Sequence, residues 1–124
     1  ALPAERLEEY YASYVAGIFR TVRFGTAEAH GRAEMMEFNF LAERKAIARG
    51  AAGRYAIDYA RMPESIAALM KELLEIEATG DRARAESWFG RYDQMPADLR
   101  SALDAAKDVP IDVDPGMAFP EEVR

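Results

Sequence analysis

Leu7, Tyr11, Tyr14, Val15, Ile18, Phe19 and Val22 recur at spacings of three and four, the signature of one helix face. Pro3 suits a first helical turn, and Glu5, Glu8 and Glu9 sit where the helix macrodipole favours anions. Arg20 and Arg23 complement the opposite end, and Gly25 terminates it, so a first helix is predicted from about Pro3 to Phe24. A second helix is expected to open at Thr26 as N-cap. Its stripe is Ala29, Ala33, Met36, Phe40 and Ile47, with a helix-favouring tail from Ala42 to Arg49 and a stop bracketed by Gly50 and Gly53. The small residues Ala29 and Ala33 suggest a close helix–helix approach there.

Between Arg54 and Tyr59 the period changes. Tyr55, Ile57 and Tyr59 alternate with Arg54, Ala56 and Asp58, which predicts a short extended stretch. One strand cannot stand alone, so it is either an irregular connector or an edge that pairs with a segment outside this chain. Pro63 opens a third helix with an apolar face of Ile66, Leu69, Met70, Leu73, Leu74 and Ile76. Gly80 suits its C′ position and Asp81 the next N-cap. Trp88, Phe89 and Tyr92 anchor a fourth helix, and Pro96 opens a fifth carrying Leu99, Ala102, Leu103 and Ala106. From Asp108 onward, Val109, Ile111 and Val113 alternate with polar residues among Pro110, Pro115 and Pro120, which reads as an extended tail. The prediction is a mainly α fold: about five helices, one short extended segment and an extended C-terminal tail.

The 124 residues suit a single domain, residues 1–124. A net charge of −6 argues against sequence-independent nucleic-acid binding, which needs a basic footprint. No run approaches the ~18 consecutive apolar residues of a membrane span. The absence of cysteine excludes a disulfide framework and fits a cytoplasmic setting. The start at Ala1, without initiator Met or signal peptide, is expected to be a fragment boundary.

The chain has one histidine, His30. One histidine and no thiolate cannot supply a His₂-carboxylate or Cys/His zinc site, so no metal ligand and no cofactor are expected in this chain itself. On a helix, His30 and Glu34 share a face at i, i+4, and Glu37 follows at i+7, an arrangement that suits acid–base work or a histidine bonded at a helix interface. Arg20 and Arg23 can hold a carboxylate or phosphate through guanidinium fork geometry, or serve as helix-end charge. Arg32, beside His30, can serve the same anionic site. The cluster Tyr10, Tyr11 and Tyr14 reads as core or interface.

Three runs carry a resemblance: Phe19 to Gly25, Glu28 to Ala33 with its Ala-His-x-x-Ala element, and Leu73 to Asp81 with its Leu-Leu-x-x-x-x-Thr-Gly-Asp element. Together they resemble the C-terminal part of the dipeptidyl peptidase III-like zinc metallopeptidases, in particular bacterial and plant members, some of them linked to a Nudix hydrolase domain. The resemblance reaches to about Val113. It implies that the chain is a fragment of a larger zinc hydrolase whose zinc is held by an HExxH or HExxxH motif and a downstream glutamate in a preceding segment. That zinc-bearing N-terminal segment is the expected partner, and a peptide-like compound the expected substrate. The resemblance also implies that His30 faces the cleft and helps bind substrate and stabilise the transition state. Where the peptidases carry an arginine four residues after this histidine, Glu34 stands here. No clustered glutamates of a Nudix box are present. The alternative is a non-catalytic helical interaction domain with a structural His30.

Overall fold

A computed structural model describes residues 3–110. A 3₁₀ turn, Ala4–Arg6, leads into α1 (Leu7–Val22), α2 (Ala29–Glu43), strands β1 (Ile47–Arg49) and β2 (Tyr55–Ile57), then α3 (Met62–Thr79), α4 (Arg82–Tyr92) and α5 (Ala97–Ala105). The fold is mainly α, as the periodicity predicts. The predicted tail begins as a turn, with the Val109 N–H donating to the Ala106 carbonyl. From residue 111 on it lies outside the described residues, as do Ile111, Val113, Pro115 and Pro120.

α2 is the organising element, packing against α1, α3, α4 and β1. It can do so because it is apolar on two sides. Met35, Phe38 and Leu41 join Val15, Ile18 and Val22 of α1, Ile47, Met62 and Leu99 in the larger core. Met36 and Phe40 join Leu69, Trp88 and Tyr92 in a second core. Phe19, Phe38 and Tyr55 form an aromatic triad with centroids 5.2–5.7 Å apart, which fastens the hairpin to α1 and α2. Asn39 ties α2 to the far side through 2.7 Å hydrogen bonds from Nδ2 to the carbonyls of Tyr92 and Gln94.

The junction between α3 and α4 follows its predicted chemistry. Gly80 closes α3 at φ 61°, and Asp81 accepts a hydrogen bond from the Arg84 N–H. Other expectations are corrected. α2 begins at Ala29 with Glu28 as N-cap, not at Thr26. It stops at Glu43, and the expected helical tail Ala42–Arg49 turns instead into β1. The stop is a Schellman ending: Lys45 sits at φ 61°, its N–H bonds the Ala42 carbonyl, and the Ala46 N–H bonds the Leu41 carbonyl. The extended stretch at Tyr55 therefore has its partner within this chain. β1 and β2 pair antiparallel, with Ile47 opposite Ile57 and Arg49 opposite Tyr55.

The small-residue contact is also relocated. Ala29 and Ala33 are exposed, and the close approach is made by buried Gly31. An added Cβ there would lie 2.1 Å from the Gly25 carbonyl oxygen. On α3, Met70 and Leu74 belong to the predicted apolar face yet are 51% and 55% exposed. Phe89, expected to anchor α4, is 40% exposed.

Candidate functional site

His30 occupies the first turn of α2. Its place there is set by its neighbour. Gly31 lets the Phe24–Gly25 turn, with Gly25 at φ 95°, fold directly against the start of the helix. The imidazole is exposed, not lodged in a helix interface. One turn further along, the Glu34 carboxyl is drawn above the ordinary carboxylate range, chiefly by burial and then by the charge of Glu37, while nearby His30 opposes the shift. Glu34 Oε2 is shielded from water and has no hydrogen-bond donor.

Glu37 is met from α1. The Tyr14 hydroxyl donates to its Oε2 at 2.5 Å. Burial, that hydrogen bond, and the charges of Glu37 and Glu34 push the Tyr14 hydroxyl far above its usual value, so Tyr14 remains a neutral donor. His30, Glu34, Glu37 and Tyr14 thus make a polar seam along one edge of the α1–α2 contact. The three α2 members were legible from helical spacing. Tyr14 was not, because its partner lies 23 residues away.

The arginines are placed apart. Arg20 and Arg23 line one cleft of about 280 Å³ between α1 and α5, together with Phe19, Leu103 and Val109. There the Arg23 Nη2 donates to the carbonyls of Lys107 (2.9 Å) and Val109 (2.7 Å), so it secures the chain beyond α5. Arg32 lines a different cleft with Ala29, Met36 and Phe89. Its guanidinium donates twice to Asp93 Oδ2, at 3.1 and 2.6 Å, and lies over the Phe89 ring 5.8 Å from the centroid. His30 lines neither cleft. A single anionic site built from His30 and all three arginines is therefore not formed within this chain. Arg23 and Arg32 have intramolecular work that spacing did not reveal.

Elsewhere, Arg84 bridges Glu72 (3.0 Å) and Glu75 (2.9 Å), locking α4 onto α3. Its hydrogen bond to Glu75 lowers that carboxyl below the ordinary range. Tyr55 is pushed up to about 12, first by burial and then by Asp98. Among the described residues no group of three or more His, Cys, Asp or Glu side chains is arranged to hold a metal ion. Nor is any described helix long and apolar enough to cross a membrane.

No family model matches the chain. A curated relative, Nudix hydrolase 3 of Arabidopsis thaliana, is 32% identical over 119 residues, covering 96% of this chain but 15% of its own length. Two solved structures superpose closely. The DPP III of Caldithrix abyssi has a TM-score of 0.84 at 29% identity, covering 90% of this chain and 22% of that one. The dipeptidyl-peptidase III of Corallococcus sp. strain EGB has a TM-score of 0.83 at 30% identity, covering 92% and 21%. The chain thus spans about a fifth or less of the length of the proteins it is similar to, and within that span it has a dipeptidyl peptidase III-like fold.

Proposed function

We propose that this chain is the C-terminal helical portion of a zinc-dependent, peptidase-like hydrolase, contributing a cleft wall and one substrate-binding histidine. The reading is carried by the fold match to two dipeptidyl peptidase III structures over at least nine-tenths of this chain. The described residues do not fit a zinc ion. The metal is assigned to a separate, zinc-bearing segment of a longer cytoplasmic polypeptide.

What this chain supplies is a donor. His30 is exposed on a first helical turn, where a substrate backbone can reach it, and its ring N–H suits the negative charge that builds on a peptide carbonyl oxygen as it is attacked. Arg20 and Arg23, which share the α1–α5 cleft, are assigned to orienting substrate, and Arg32 acts through its contact with Asp93. The non-catalytic interaction-domain alternative is not favoured by the fold match.

The test uses the full-length polypeptide loaded with zinc and assayed on a dipeptide-releasing peptide series. His30→Ala should lower kcat by about 10²–10³ while the unfolding midpoint stays unchanged. Unchanged turnover in a stably folded variant removes His30 from the site.

A further inference from the structure

α1 and α3 both pack on α2, and the space between them is left open as an apolar groove of about 390 Å³, walled by Tyr10, Tyr11, Ile66, Met70 and Leu73. Glu37 of α2 reaches its floor beside Tyr14. Met70 and the neighbouring Leu74 stand 51% and 55% exposed one turn apart. α3 therefore shows a second apolar strip besides the one it buries through Leu69 and Ser65. Met70 shares the groove with two tyrosines, and Leu74 stands exposed one turn beyond it on the same helix, apolar surface of the kind that marks interaction sites. Arg6 caps the Tyr10 end of the groove, its guanidinium 5.7 Å from the ring centroid, while Glu37 supplies the carboxylate within the groove and Glu34 lies one turn before it with an oxygen that no donor satisfies.

We infer that this groove is the seat of an amphipathic helix from another segment of the same, longer polypeptide, with an apolar face against Met70, Leu73 and Leu74 and a lysine or arginine aimed at Glu37. Two helical walls with a trough between them fit a third helix better than a strand or loop. Length favours an occupant in cis, because about four-fifths of the sequence of the similar proteins lies outside the span this chain covers. The inference rests on the reading that the chain is part of such a longer hydrolase, and it specifies which face joins the rest.

The test is made on the full-length polypeptide without reference to catalysis. Met70→Glu and Leu74→Glu are combined, and Ala83→Glu on the exposed side of α4 is the control. The unfolding midpoint and the amide exchange of residues 7–22 and 62–79 are measured. The double variant should lose several degrees and exchange faster in both helices, with the control unchanged. A double variant indistinguishable from wild type overturns the proposal. So does an open reading frame that encodes nothing beyond this chain, or a concentration-dependent dimer that the double variant splits, since the latter assigns the groove to a second copy. Loss of activity in His30→Ala is read separately, so failure of the site reading and failure of the groove are distinguishable.

Discussion

Replacing Gly31 with alanine sets two effects of opposite sign against each other. Alanine is the better helix former by about 1 kcal/mol, and Gly31 lies inside α2, so helix propensity alone predicts stabilisation. Packing predicts the reverse. The new Cβ would start 2.1 Å from the Gly25 carbonyl oxygen, whereas real Cβ contacts essentially never fall below 3.0 Å. The obstacle is backbone, so it cannot rotate aside, and the α1–α2 turn must back away by about 0.9 Å. Overpacking of this kind costs about 1–3 kcal/mol, and a rigid obstacle argues for the upper half of that range. The net expectation is a loss of about 1–2 kcal/mol, or roughly 4–8 °C in Tm for a chain of this size. Gly17 and Gly90 are internal controls, because both are helical, exposed and have nothing within 4 Å of an added Cβ. Gly17→Ala and Gly90→Ala should each gain up to about 1 kcal/mol. The assay is thermal and urea unfolding of all three variants followed by circular dichroism. If Gly31→Ala rises with its controls, the close approach is refuted.

Lys45→Gly should raise stability by up to about 1 kcal/mol in urea unfolding, because Lys45 carries a side chain at φ 61°; a fall would contradict the Schellman ending. Asn39→Ala should cost about 1–3 kcal/mol, since it strips a side-chain donor from the Tyr92 and Gln94 carbonyls; a neutral result would mean that water replaces it. Ala33→Leu should be nearly neutral in Tm, because Ala33 is exposed. Glu34→Gln should stabilise the chain at neutral pH: a carboxyl with a raised folded pKa favours the native state while protonated, and that contribution is lost as pH rises through the folded value. Unfolding midpoints of wild type and Glu34→Gln should therefore converge below the ordinary carboxylate range, and a variant less stable than wild type at neutral pH would refute the burial of that charge.

The helices that announced themselves did so through punctuation as well as period. Gly80 and Asp81 close one helix and open the next with the residue types those positions require, and the structure uses both as expected. The end of α2 has no such mark. Its left-handed residue is Lys45, which carries no turn signal in the sequence, and Ala42 to Arg49 is rich in helix formers. The stop is imposed from outside, by Ile47 pairing with Ile57 and entering the core beside Met62 and Leu99. The same cause hid the partner of Tyr55. A strand read as helix cannot be offered as a pairing edge.

The site shows a sharper division. Helical spacing put His30, Glu34 and Glu37 in one row, because contacts within a helix are fixed by its pitch. The arginines were grouped by proximity in sequence, and there the physics differs. Arg20 and Arg23 point into a cleft made by α5, more than 75 residues away, as the bonds of Arg23 to Lys107 and Val109 across 84 and 86 positions show. Arg32 turns to the opposite flank to meet Asp93, 61 positions on. A guanidinium on a long stem goes where a carboxylate or a row of carbonyls satisfies it, and those acceptors are chosen by the tertiary fold. What remains at the start of α2 is an imidazole facing solvent, held by a glycine contact that tolerates no side chain, with an unsatisfied carboxylate oxygen one turn below. That combination gives the helix end a defined position, with the imidazole exposed and the Glu34 oxygen buried behind it.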